Sequence, residues 1–364
     1  MLQSLIARIT SDEVIERAYE WVCQRRLHYH HNSDVWQLRR GWAEKRRLIV
    51  EQLRAGTYRF REQRLVQSQG ETKEIWAAQD ALVLKAMATA LQEELQPHLS
   101  PRCFHLAGTG GQKGAVREVA AHLPECEFVF RTDVKGYYAS INHQILYELV
   151  ARYVREPVVL VLLLQYLKRF VSDGGKYTDI EQGISLGCPL SPLMGALYLK
   201  PLDDKMAEMG CFYVRYMDDW VILAPTRWKL RQAIKAVNLV MANLLVEKHP
   251  DKTFIGRISQ GFDFLGYWFT PSGLGIAQKT VERCLAKVSR LYEQGASVGR
   301  IGEYLGRWWQ WVRSGVDGVL MVGGSNSKWV CERFREQNIC SPPCISLAFF
   351  LFFFINSFSL LPSA

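Results

Sequence analysis

The chain lacks the cysteine pattern of a zinc-bound or disulfide-stapled protein. Its nine cysteines among 364 residues are an odd number spread singly, and Cys340 and Cys344, four apart, have no second pair. A structural zinc site therefore has no ligand set, and reduced thiols in a cytoplasmic compartment are expected. Long apolar runs are scarce too. Arg8 and Asp12 break the opening apolar residues, so no signal peptide is apparent. The run 158–164 is too short to cross a bilayer and reads as a buried helix. The exception is 345–361, almost wholly apolar and rich in phenylalanine, with Arg333 and Arg335 before it. It reads either as a tail anchor at the short end of the spanning range or as a non-native, frame-disrupted C-terminus. Acidic residues are in the minority, 36 against 45 Lys and Arg, for a net charge of +9. That balance suits a phosphate backbone as a partner. His28, His30 and His31 have no completing acid or cysteine spacing and read as exposed polar residues.

What the chain does have is a pair of adjacent carboxylates between apolar runs. Phe212-Tyr213-Val214-Arg215-Tyr216-Met217-Asp218-Asp219-Trp220-Val221-Ile222-Leu223 reads as a β-hairpin with the acids at its turn. Phe128-Val129-Phe130-Arg131-Thr132-Asp133 reads as a second apolar strand delivering one more acid. Mg²⁺ prefers such hard oxygen ligands, and two ions about 3.5–4 Å apart clamp the attacking and leaving oxygens of a phosphoryl displacement. Polymerase-type chemistry is indicated. A lone Asp-Asp pair is more often a solvated turn, and Asp203-Asp204, in a helix-like stretch with charged neighbours, is read as surface. Gly183 and Gly187 let the backbone approach a ligand closely. Ser191 reads as the N-cap and Pro192 as the first residue of a buried helix.

Taken in order, these segments resemble a reverse transcriptase (RNA-directed DNA polymerase), and specifically the bacterial group II intron-like branch. Asp133-Val134-Lys135-Gly136-Tyr137-Tyr138-Ala139-Ser140-Ile141-Asn142-His143 resembles the first catalytic motif, and Tyr216-Met217-Asp218-Asp219 the second acidic motif. Between them, Gln182-Gly183-Ile184-Ser185-Leu186-Gly187-Cys188-Pro189-Leu190-Ser191-Pro192-Leu193 resembles the stretch lining the template and incoming nucleotide. Gly261-Phe262-Asp263-Phe264-Leu265-Gly266-Tyr267 resembles the hairpin that grips the primer end. The resemblance covers roughly 48–316. One departure is Leu186, where intron-encoded members usually carry Gln; it weakens the intron assignment and leaves the polymerase assignment standing.

The resemblance implies an α+β, right-hand polymerase fold: an N-terminal extension and fingers over 1–99, an antiparallel-sheet palm carrying the catalytic acids over 100–275, and a helical thumb over 276–320. An atypical tail, 321–364, follows. It implies Asp133, Asp218 and Asp219 as catalytic acids and, with Val134, as the metal set for two Mg²⁺ ions, Mn²⁺ being a substitute. Asp219 is partly supporting. Tyr138 would lie beneath the sugar of the incoming nucleotide and exclude a 2′-hydroxyl, the alternative being that Tyr137 and Tyr138 simply pack at a helix start. Gly187, Ser191 and Pro192 would contact substrate, as would Lys73 and Arg64 from the fingers. Lys252 would stand near the leaving pyrophosphate, with Lys248 its rival and a surface lysine the plainer reading. Phe264, Leu265 and Gly266 would grip the primer.

The implied partners are an RNA template, a DNA or RNA primer and deoxynucleotides; a membrane partner follows only if the apolar tail is native. The alternative function is an RNA-binding maturase or splicing cofactor of a group II intron, with polymerase activity secondary. The oligomeric state and the setting, whether mobile element or antiviral defence, stay open. The first 65 residues read as helical, basic and rich in tryptophan. They could hold single-stranded nucleic acid by charge and stacking, or form amphipathic helices with Trp in the core and Arg in water.

Overall fold

The computed structural model describes residues 4–68 and 71–315, so the apolar segment 345–361 lies outside the described residues. The chain begins with α1 (Leu5–Ile9), α2 (Asp12–Arg25), α3 (Asp34–Arg40) and α4 (Trp42–Arg54). Ser4 and Ser11 start the first two, each side chain accepting a backbone N–H three residues on. Their buried stripe is aliphatic, with Ile15, Val22, Ile49 and Leu53 inside. The tryptophans Trp21, Trp36 and Trp42 are only half-buried, contrary to a Trp-filled core. Trp42 stacks on Tyr19 at 3.9 Å and the Arg39 guanidinium lies 4.8 Å from the Trp36 ring.

The hairpin β1 (Gln63–Ser68) and β2 (Glu71–Ile75) leads into α5 (Ala78–Leu95), whose apolar residues are buried on nearly all sides. After α6 (Gly111–His122) come β3 (Phe128–Asp133), α7 (Tyr137–Ser140), α8 (His143–Ala151) and α9 (Pro157–Leu167). In α9 the expected buried run has two faces: Val159, Leu162 and Leu163 are inside, while Val161 and Leu164 are exposed. Then follow β4 (Phe170–Asp173), β5 (Lys176–Asp179), α10 (Ser191–Tyr198), α11 (Lys200–Glu208), β6 (Phe212–Tyr216), β7 (Asp219–Ala224) and α12 (Arg227–Asn243). The remaining elements are β8 (Phe254–Arg257), β9 (Phe262–Phe264), β10 (Tyr267–Thr270), β11 (Gly273–Ile276), α13 (Gln278–Glu293) and α14 (Val298–Arg313). This is an α+β chain with mixed sheets. No helix among the described residues is long and apolar enough to cross a membrane.

The chain divides into two compact units, each discontinuous in sequence. The first holds residues up to Gly111, Thr132–Trp220 and Arg231–Thr253. It contains a mixed sheet in the order β2-β1-β4-β5, with β1 antiparallel to β2 and parallel to β4. The second holds Gln112–Arg131, Val221–Leu230 and the chain from Phe254 on. In the sheet ordered β6-β7-β3-β8, β3 and β8 pair antiparallel, Phe128 opposite Arg257 and Arg131 opposite Phe254. A further sheet, β11-β10-β9, carries stacked Phe262 and Phe269. Helices α13 and α14 share a core of Cys284, Val288, Leu291, Ile301 and Leu305. Both β3 and β7 pass from one unit to the other, and their acid-bearing ends belong to the first.

Candidate active site

Strand β3 ends at Asp133, and the strand pairing does not stop with it. The His249 N–H donates to the Asp133 carbonyl at 2.9 Å and the Lys135 N–H to the Glu247 carbonyl at 2.8 Å. Val134, buried, forms an antiparallel bridge with Lys248. This pairing carries the tight turn Pro250–Lys252 back to the acid, and the Lys252 ammonium bonds Asp133 Oδ2. Lys248 turns elsewhere, its Nζ 2.6 Å from Asn238 Oδ1. The other Asp133 oxygen, Oδ1, is buried with no hydrogen-bond partner.

Asp218 sits in the two-residue turn between β6 and β7. Met217, the residue before it, has φ +58°, a left-handed conformation that a two-residue hairpin normally gives to glycine. Burial raises the Asp218 pKa, and the Asp133 charge raises it further, while Lys252 and Arg215 oppose. Asp219 opens β7, and neighbouring residues of an extended chain project to opposite sides.

Asp218 also lines a cavity of about 950 Å³, together with Met217, Tyr138, Leu186, Gly187 and Arg169. The Tyr138 hydroxyl is buried without a partner, and its pKa is raised by burial first and by Asp218 second. Tyr137 packs inward, donating to the Gly195 carbonyl at 2.5 Å. A Cβ on Gly195 would come 3.1 Å from Tyr138 Cε1 and 3.3 Å from Tyr137 Cε1. The two glycines of the lining loop differ. At Gly183 (φ +85°) a Cβ would strike the backbone of Tyr138 and Ala139 at 3.0 Å, so this close approach is to the protein itself. At Gly187 (φ +82°) a Cβ would meet nothing within 4 Å.

Ser191 is not the N-cap. It is the first residue of α10 after Leu190, and Pro192 is the second. Its buried hydroxyl instead donates to the Ser185 carbonyl at 2.6 Å and bonds Tyr166 at 2.7 Å. Gln63 and Trp76 donate to the Ser185 hydroxyl at 2.8 and 3.2 Å. The loop is thus held by a buried polar network, and Ser191 and Pro192 are not among the residues lining the larger cavity. Pro192 borders a smaller one of about 280 Å³. Arg64 is exposed on β1, and Lys73 lies on β2 opposite Val66. In the second unit Leu265 and Gly266 form the turn between β9 and β10, with φ +48° and +88°, and Phe264 is buried.

Several contributors carry no motif. Trp21, Arg25, Arg26 and Tyr29, at the end of α2 and just after it, help line the cavity. Only their mixture of aromatic and basic character hinted at this. Asp203, read as surface, is buried, and it pairs with fully buried Arg215 at 2.5 Å. Tyr213 donates to it at 2.9 Å. Asp204 alone is exposed, paired with Lys200. Adjacent helix positions differ by about 100° in direction, so one acid faces in and the other out. His105 lies in no motif, and its Nδ1 accepts the Met217 N–H at 3.1 Å.

A buried, unpartnered carboxylate oxygen beside a second carboxylate fits a divalent cation. Among the described residues, however, no group of three or more His, Cys, Asp or Glu side chains is gathered as a metal cluster. The pair Asp133 and Asp218 carries the fit, and Asp219 does not complete a triad.

The family model for reverse transcriptase (RNA-dependent DNA polymerase) matches residues 78–269, just over half of the chain. The curated protein YkfC of Escherichia coli K12 is 21% identical over 231 residues, which are 52% of this chain and 61% of YkfC. The chain thus spans about three fifths of that relative. Among solved structures, a partial Cas6-RT-Cas1–Cas2 complex is 18% identical with a TM-score of 0.43, covering 66% of this chain and 43% of its own. Apo telomerase from Candida tropicalis is 11% identical with a TM-score of 0.47, covering 59% and 54%.

Proposed function

Since the chain belongs to the reverse transcriptase (RNA-dependent DNA polymerase) family, we propose that it extends a DNA or RNA primer 3′-hydroxyl with deoxynucleotides on an RNA template, releasing pyrophosphate. The observation that carries this reading is Asp218 on the wall of a cavity large enough for a nucleotide, near enough to Asp133 for that charge to raise its pKa, with Asp133 Oδ1 buried and unpartnered. Asp133 and Asp218 would hold Mg²⁺ or Mn²⁺, with Asp219 in support. When bound, two such ions supply charge neutralisation at the attacking and leaving oxygens.

The chain's own residues do the rest. Lys252, whose ammonium bonds Asp133, would neutralise the leaving pyrophosphate. Tyr138 gives the cavity a rigid wall that would collide with a ribose 2′-hydroxyl. In this reading the mixed sheet β2-β1-β4-β5 with α1–α5 serves as fingers, the acid-bearing sheet as palm, and α13 and α14 as thumb. The order of the four motifs supports a bacterial, group II intron-like setting, the singly spread cysteines a reducing cytoplasm, and Leu186 weighs against an intron-encoded member.

The test is primer extension on an RNA template with Mg²⁺ and four deoxynucleotides, wild type beside Asp218→Asn. Extension by the wild type alone is expected. RNA binding with no extension by either protein would favour the maturase role instead.

A further inference from the structure

We propose that His105 is a positioning residue for the acid-bearing turn, its ring tying the Met217 backbone to that of Pro192 and so holding Asp218 against the cavity. The inference rests on the polymerase reading for its kinetic consequence, though not for its geometry.

The fold brings His105 to the turn by strand-like pairing. The Phe104 N–H donates to the Arg215 carbonyl at 2.8 Å and the Arg215 N–H to the Arg102 carbonyl at 2.9 Å. The segment before His105 is thereby zipped onto β6 just ahead of Met217. The Cys103 thiol lies 3.4 Å from Nδ1, and the ring makes two further bonds, to backbone groups, whose directions are fixed by their partners. The Pro192 carbonyl, 3.0 Å from Nε2, can only accept, so Nε2 carries the proton. The Met217 N–H, 3.1 Å from Nδ1, can only donate, so Nδ1 is bare. Only the neutral ring in this one tautomer satisfies both. Its surroundings enforce that state, since burial and the nearby Arg215 charge hold the pKa at about 4.

Met217 needs such restraint. It is a non-glycine residue at φ +58°, a conformation that persists only where its surroundings over-determine it. Both of its backbone groups are held: the N–H by His105, and the carbonyl by Arg215 Nη1 at 2.8 Å. The next residue is Asp218. Because Pro192 follows Ser191, which anchors Ser185, the same ring also links the turn to the loop carrying Gly187. His105 touches neither acid, so its action runs through Met217.

Two variants separate this role from simple packing. His105→Phe keeps a ring and deletes both bonds; His105→Gln supplies one acceptor and one donor on an amide. Hydrogen–deuterium exchange of the peptide over 215–219 and steady-state extension kinetics are read on both. In H105F exchange should speed up about tenfold or more. Its kcat should fall on the order of 10–100-fold, with the nucleotide KM changed less than about threefold. H105Q should recover most of both. Wild-type exchange and kcat in H105F, or H105Q as impaired as H105F, would overturn the proposal. If H105F does not fold, His105→Leu, which likewise has neither donor nor acceptor, replaces it with the same expectations. Because exchange is read without turnover, an inactive wild type would defeat the polymerase reading and leave the tie itself still tested.

Discussion

Arg215 and Asp203 form an ion pair with no solvent access on either side, Arg215 Nη2 lying 2.5 Å from Asp203 Oδ2 and Nε 2.8 Å from Oδ1. Removing one partner leaves an uncompensated buried charge, which costs about 3–5 kcal/mol. Asp203→Ala should lower stability to urea by that order, and because Arg215 also holds the Met217 carbonyl, kcat should fall with it. Asp204→Ala, at the exposed neighbour, should cost no more than about 1 kcal/mol. Equal losses from the two substitutions would contradict the burial assignment.

Tyr138 and Gly195 are opposite faces of one contact. Tyr138→Ala should admit ribonucleotides, scored as their incorporation relative to deoxynucleotides in the extension assay; retained discrimination removes the gate. Gly195→Ala pushes a methyl toward both tyrosine rings, and overpacking of this kind costs about 1–3 kcal/mol. Its unfolding midpoint should drop, and its sugar discrimination should move away from the wild-type value.

The lining glycines should respond unequally. Alanine at either accepts a left-handed backbone at a cost of about 1 kcal/mol or more. Gly183→Ala adds a clash with backbone atoms that have no room to move, whereas Gly187→Ala points into open space. Thermal unfolding should rank Gly183→Ala clearly below Gly187→Ala. The reverse holds for catalysis per folded molecule, where a methyl at Gly187 intrudes on the cavity.

His105 makes stability pH-dependent with a definite sign. Its pKa is depressed to about 4 from 6.5, chiefly by burial and then by Arg215. Between those values the unfolded chain binds more protons than the folded one, so the contribution is complete above about pH 6.5 and is lost as pH falls toward 4. The window is worth about 3 kcal/mol. Wild type should therefore be more stable relative to H105Q at pH 7 than at pH 4 by that order, measured by urea unfolding at each pH. A constant difference would show that the histidine does not stay neutral on folding.

Much of the site is local, and local pattern made it legible. The acid-bearing strands were visible because alternating or continuous apolar residues specify strand, and they appear as β3 ending at Asp133 and as β6 and β7 flanking Met217 and Asp218. Helices α13 and α14 fall within the helical segment over 276–320 that the resemblance implied. The order of the acids, the lining loop and the hairpin along the chain was enough for the family, because each motif is contiguous. The sequence by itself determined the elements, the acids and the chemistry those acids suit.

What tertiary structure alone decided is which distant groups meet. Asp203 looks solvated until Arg215, on a strand with no charged partner of its own, is folded against it; whether a charge is buried depends on that pairing and on no local property. Ser191 has the residue type of a cap, yet Ser185 and Tyr166 claim its hydroxyl. His105 lies in no motif and reaches Met217 only because residues 102–104 pair beside β6. Hydrogen bonds and ion pairs act over about 3 Å in space whatever the separation in sequence, so the contacts that hold the turn in its strained shape are written in the fold and not in the spacing of residues.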